Sequence, residues 1–269
     1  MTHSYNGSIT LSPAADVRYL LRIGDICLIH AQRLGEWCGH APVLEEDLAL
    51  TNLSLDLIGQ ARAIFTRAGA LEAKHGIEGR DEDQYAFLRD ERDYLNPTLA
   101  ELPMRRGGAD FADTQARNLV LATLMKVLWT RLTQSSDADL AAIAAKSLKE
   151  ARYHQQHAAD WVKRLGDGTA ESAKRMQAAV DRLWPYVPEL FESDAIEDAA
   201  AASGLGPRLA ELQADWQAEI AAVFAQAGLT VPKTGVTRFA GKRGIHSEHM
   251  GVLLAEMQYL QRAYPGGAW

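Results

Sequence analysis

An all-α fold is what this sequence predicts, and three features carry the prediction. Apolar residues recur at three- and four-residue steps through several long stretches. Those stretches are rich in Ala, Leu, Lys and Glu, the strongest helix formers, and are separated by short segments punctuated by Gly and Pro. No segment alternates polar and apolar residues with the period of two that a half-buried strand needs. The clearest helix covers 138–165, which has neither Pro nor Gly. Leu140, Ala144, Ser147, Ala151, His154, Ala158, Trp161 and Leu165 share one face of it, so His154 lies in the middle of an inward stripe. Asp137 or Asp139 can cap its start, and Gly166 stops it.

Residues 1–15, with Pro13 near their end, read as a flexible leader, 16–265 as one helical domain and 266–269 as a tail. The first helix is expected from Asp16 to about Trp37, with a broad apolar face and Asp25 in its middle, a poor place for a solvated carboxylate. Gly39-His40-Ala41-Pro42 ends it. The second, from about Leu44 to His75, is apolar nearly all round, as a buried helix of a bundle is. Residues 76–111 carry Gly76, Gly79, Pro97, Pro103 and Gly107-Gly108 and read as a crossover, with a short helix at Gln84–Tyr94. The third helix runs from near Asp113 to Gln134, and Ser135-Ser136-Asp137 turns the chain into the fourth. Two hairpins joined by one long crossover form the ferritin-like arrangement of a four-helix bundle. Further helices are expected at Glu171–Phe191, bent near Pro185 and Pro188, at Arg208–Ala227 and at Ser247–Tyr264. The link Gly228–Gly244 reads as an exposed loop, and Trp269 as a frayed end or a docking peg.

Composition excludes several function classes. The chain is 47% apolar and 23% charged, and no run of about 18 uncharged apolar residues suggests a membrane span. Its first residues lack a signal-peptide pattern, so the expected location is the cytoplasm. A formal charge of −7 gives no electrostatic reason to bind nucleic acid. Cys27 and Cys38, on one helix, would stand roughly 16 Å apart. That is too far for a disulfide, so free thiols that serve packing are expected.

A bundle of this kind invites a test for metal. A carboxylate-bridged di-iron centre needs a Glu from each of two helices and Glu-x-x-His from each of the other two. Here the first helix offers Asp25, and the second Asp56-Leu57-Ile58-Gly59, with Gly in the His position. The third has no carboxylate between Asp113 and Asp137, and the fourth has Ala151 where Glu would precede His154. Glu150 is four residues from His154, a less usual register. His154 and His157 therefore read as hydrogen-bonded helix histidines, and Asp25 and Asp56 as partners of interior Arg or Lys. Lys126, on the apolar middle of the third helix, is expected to replace lost metal charge by pairing with Asp25 or Asp56. His246-Ser247-Glu248-His249 reads as a helix start, and Glu36-Trp37-Cys38-Gly39-His40 as a weak zinc signal without a second Cys pair. There is no P-loop, dinucleotide fingerprint or Gly-x-Ser-x-Gly elbow. No catalytic, cofactor or metal residues are assigned.

Four blocks carry a resemblance: Arg33-Leu34-Gly35-Glu36-Trp37-Cys38-Gly39-His40-Ala41-Pro42, Gly59-Gln60-Ala61-Arg62, Lys149-Glu150-Ala151-Arg152-Tyr153-His154 and Leu254 to Arg262. From about Tyr19 to Trp269 the chain resembles the structural subunits of bacterial phenylacetyl-CoA epoxidases. The resemblance implies a ferritin-like fold and membership of a cytosolic multicomponent monooxygenase of phenylacetate catabolism. In such a complex the di-iron centre belongs to a homologous catalytic subunit. A further small subunit is present, and a reductase with flavin and an iron–sulfur cluster supplies electrons from NADPH. The subunit resembled is non-catalytic, in keeping with the missing ligands. The first hairpin, 16–75, is expected to face the partner; the competing expectation is that the C-terminal helices cover it. A homo-oligomer is also open. Two other function classes stand beside the scaffold: a bundle that binds an acyl-CoA, toward whose phosphates Lys242-Arg243 would point, and an autonomous ferritin-like metal enzyme.

Overall fold

The computed structural model describes residues 8–104, 110–233 and 238–267. In chain order its helices are α1 (Ala15–Gly35), α2 (Leu44–Lys74), α3 (Glu82–Phe87), α4 (Thr98–Glu101), α5 (Phe111–Leu132), α6 (Ala138–Gly166), α7 (Ala170–Leu183), α8 (Val187–Leu190), α9 (Ala195–Ser203), α10 (Gln213–Ala227) and α11 (Glu248–Ala263). Among the described residues there is no strand, only an isolated bridge between Ala240 and Ile245.

Hairpins α1–α2 and α5–α6 pack into a ferritin-like four-helix bundle, and the later helices surround it. α1 and α2 approach closely because Gly24 has no side chain: a Cβ there would lie 2.3 Å from the Phe65 ring. The starts of the second hairpin are fixed locally. The Asp110 side chain accepts from the backbone N–H of Ala112 and Asp113, and the Asp137 side chain from Leu140 N at 2.9 Å. The bend expected near Pro185 and Pro188 is present, as a 3-10 turn at Trp184–Tyr186 leading into α8. Trp216 of α10 is buried against Trp184, which also meets Phe224, and against Phe191, and it donates from Nε1 to Val120 O at 3.0 Å, joining the C-terminal layer to α5.

Three expectations about segments change. The crossover is part of the core rather than a bare connection: Tyr85, Arg89, Tyr94, Leu95, Asn96, Leu99 and Glu101 are all buried. Sequence periodicity misses its helix α4 and also α9, because both are too short to repeat a pattern. The link expected as an exposed loop ends in a buried 3-10 turn, Gly241–Arg243, with Gly241, Lys242 and Gly244 buried. Gly244 has φ +76°, and a Cβ there would lie 2.2 Å from Arg92 O, so no other residue fits there. Of the leader, residues 1–7 lie outside the described residues, as do Gly107, Gly108, Gly235 and Trp269. Residues 8–14 run along the crossover, with Ile9 N donating to Leu88 O and Ser12 N to Glu72.

Candidate functional site

The centre of the bundle is where a metal would be held, and α1, α2, α5 and α6 all reach it. They enclose a cavity of about 20 Å³ lined by, among others, His30, Leu57, Gln60, Asn118, Ala151 and His154. The inward i, i+3 pairs are Leu57 with Gln60 on α2 and Ala151 with His154 on α6. This corrects the phase read from sequence for α2. Asp56 and Gly59 turn outward, because a helix that is apolar nearly all round gives its periodicity no preferred face. Gln60 is drawn inside by its partners instead. Its Oε1 accepts from Trp129 Nε1 at 3.3 Å and from Cys27 Sγ at 3.7 Å, while Nε2 donates to Glu150 at 3.0 Å. Both cysteines are free, as expected, but only Cys27 is a buried packing thiol: Cys38 lies beyond the end of α1 and is exposed.

No carboxylate lines the cavity, and among the described residues no three His, Cys, Asp or Glu side chains are grouped to hold a metal. Leu57 and Ala151 occupy the two positions from which acids would have to reach inward, and neither can ligate. A di-iron centre therefore does not fit these residues. The histidines are committed elsewhere. His30 Nε2 faces the Asn118 amide oxygen at 2.9 Å and must donate to it. Burial pushes the His30 pKa down to about 3, so its ring is neutral. His154 meets Asp56 at 3.0 Å, and burial lowers its pKa even beside that acid. His157 meets Glu46 at 3.1 Å. Both are the hydrogen-bonded helix histidines that the sequence suggests, and they tie α6 to α2.

Lys126 does not pair with Asp25 or Asp56. Its ammonium is 2.5 Å from Glu219 of α10, on the outer side of α5. The interior charge of Asp25 is met by Arg89 of the crossover, to which both its oxygens are bound, and by Leu95 N at 2.8 Å. Arg89 also lies over the Tyr94 ring, 4.0 Å from its centroid. Nothing in the sequence pattern marks Arg89, because the crossover has no periodicity from which its burial follows. Lys242 is a further correction. It is buried and unable to meet a phosphate: its ammonium contacts Glu197 at 2.8 Å, and Arg22 of α1 binds the same carboxylate and that of Asp194. Arg243 remains exposed beside Glu192. A further buried pair joins His246 Nδ1 to Glu101 at 2.7 Å, while His246 Nε2 faces Tyr94 O at 3.0 Å.

The surface of the bundle divides the first hairpin. α1 is covered along almost its whole length by α2, α9 and α4, so for this helix the chain's own later elements supply the cover. α2 keeps an uncovered apolar edge, with Leu48 and Leu55 each 58% exposed and Leu44 beyond them. α6, which packs against α2, presents an exposed Tyr153, whose ring lies about 6 Å from those of His154 and His157. The two α2 acids that face α6, Asp56 and Glu46, already have imidazole partners. Covering the edge would therefore leave neither of them bare. Among the described residues no helix is long and apolar enough to cross a membrane.

Two comparisons with known proteins bear on this arrangement. Residues 5–269 match the family described as phenylacetic acid catabolic protein. The chain is 49% identical over 251 residues to one of the subunits of 1,2-phenylacetyl-CoA epoxidase of Escherichia coli (strain K12), an alignment covering 93% of this chain and 98% of that protein. A helical bundle with this crossover, matched from end to end, is a member: the chain belongs to the phenylacetic acid catabolic protein family.

Proposed function

We propose that this chain is a non-catalytic structural subunit of a multicomponent di-iron monooxygenase that epoxidises the aromatic ring of phenylacetyl-CoA. The observation that carries the reading is the bundle centre, where Leu57, Gln60 and Ala151 stand at positions that a metal site would need for acids and a histidine. The relative's designation as one component of an epoxidase supports a role inside a complex. In this reading a homologous ferritin-like chain carries the iron, and a reductase delivers electrons from NADPH. The partner packs on the α2–α6 edge, with Leu48, Leu55 and Tyr153 as its apolar contacts. Exposed aromatic side chains are enriched among the anchors of protein interfaces. Nothing favours the acyl-CoA-binding alternative, since the lysine that would meet the phosphates is buried in a salt bridge.

Reconstitution tests the reading. Phenylacetyl-CoA-dependent NADPH oxidation is expected from the catalytic chain, the reductase, any small subunit and this chain together, and not from this chain with the reductase alone. Leu48→Glu with Tyr153→Glu is expected to abolish co-elution with the catalytic chain. Full activity without this chain, or turnover by this chain in the absence of the catalytic one, overturns the proposal.

A further inference from the structure

Three helices each bring one polar side chain to the cavity at the bundle centre: His30 from α1, Asn118 from α5 and His154 from α6. Gln60 of α2 lines it too, but its amide oxygen and nitrogen are both engaged, by Trp129, Cys27 and Glu150. Asn118 differs. It is 3% exposed and its Oδ1 faces His30, yet its Nδ2 has no hydrogen-bond partner among the described residues. A buried amide N–H without an acceptor is costly, and native proteins rarely leave one. His30 has the complementary need. Its ring is neutral with the proton on Nε2, which donates to Asn118 Oδ1, so Nδ1 remains as an acceptor. The unfilled donor and the unfilled acceptor thus belong to one bonded pair of side chains. His154 spends Nε2 on Asp56, and burial favours its neutral ring, whose Nδ1 is a second acceptor.

The size and lining of the cavity select its guest. A water needs roughly 10–15 Å³ and the cavity offers about 20 Å³, which is enough for one water and too little for two. None of the lining residues is Arg, Lys, Asp or Glu, so an ion of either sign would lie there uncompensated. An apolar guest would suit Leu34, Leu53, Leu57 and Met125 but would leave Asn118 Nδ2 unpaired. Water accepts from an amide and donates to imidazoles at once, and buried waters make about three such bonds. We propose that a single ordered water occupies the bundle centre, accepting from Asn118 Nδ2, donating to His30 Nδ1 and taking His154 as its third partner. It joins α1, α5 and α6 across the place where a metal would bridge them, and does so without charge.

A high-resolution crystal structure of the full chain reads the inference, together with water-selective NMR at pH 7. Density for one water is expected within about 3.2 Å of Asn118 Nδ2. Cross-peaks with the sign of a long-lived bound water are expected at the Asn118 side-chain amide protons. The His30 ring is expected as the Nε2–H tautomer, with its Nδ1 resonance displaced by an accepted hydrogen bond. In Asn118→Leu the water density and the Nδ1 displacement are both expected to be lost. The measurements on the unsubstituted chain decide the matter even where that variant fails to fold. A bundle centre without water density and without bound-water cross-peaks overturns the inference. So does xenon that enters a dry cavity under pressure. Either result leaves the proposed function to its own test by reconstitution, whereas a metal ion at this position overturns both.

Discussion

Removing Asp25 tests how the bundle tolerates a carboxylate in its interior. Asp25 and Arg89 are both 0% exposed, and Asp25 accepts from both Arg89 terminal nitrogens and from Leu95 N. Asp25→Ala leaves the guanidinium buried with only Tyr85 O, Asp93 O and aromatic rings around it. Stripping one partner from a buried pair costs about 3–5 kcal/mol. The Leu95 N–H also loses its acceptor, but the two losses overlap and are not summed. Urea unfolding followed by circular dichroism is expected to report a loss in that range, and the thermal midpoint to fall by on the order of 10 °C. The double variant Asp25→Leu, Arg89→Met is expected to recover most of the loss, since no isolated charge remains. Lys126→Met, by contrast, removes a pair whose lysine is 23% exposed, and is expected to cost less than about 1 kcal/mol. An Asp25→Ala variant within about 1 kcal/mol of the parent, with no coupling to Arg89, would refute the assignment of that pair as an anchor of the crossover.

Three further outcomes follow from the same geometry. His30 is neutral in the fold, with a pKa of about 3 against the ordinary 6.5. Below pH 6.5 the unfolded chain therefore binds a proton that the folded chain refuses, and this residue removes about 1.4 kcal/mol of stability per pH unit; His30→Gln should lack that slope between pH 6 and pH 4. At His246 burial opposes the charge, but the Glu101 carboxylate and Tyr94 carbonyl outweigh it and raise the pKa above 6.5. Its contribution is complete below the unfolded value and is lost as pH rises through the folded one; His246→Asn should flatten the alkaline limb of the stability profile, and an unchanged limb would contradict the assignment. Finally, elemental analysis of the purified chain should find no stoichiometric iron, manganese or zinc, and one or two metals per chain would reverse the reading of the bundle centre.

The sequence by itself determined the all-α class, the four bundle helices and the crossover, because each long helix repeats its apolar face over many turns and the crossover is marked by Gly and Pro. Asp25 as an interior acid, the paired histidines His154 and His157 and the free thiols were legible for the same reason: their places on helices follow from spacing along the chain. The tertiary structure alone decided which residues meet. α2 is apolar nearly all round, so whether Asp56 or Leu57 faces inward depends on the helices packed against it. Arg89, Glu101 and Lys242 lie in segments without periodicity, where burial is imposed by distant elements: Asp25 draws in Arg89, Arg33 and His246 hold Glu101, and Glu197 holds Lys242. Lys126 shows the converse, since its apolar neighbours suggested an interior charge, but the rotation of α5 turns its side chain toward α10. Periodicity specifies a helix and often a face, whereas the partner of a charge is set by contacts between residues far apart in sequence, which a one-dimensional pattern does not encode.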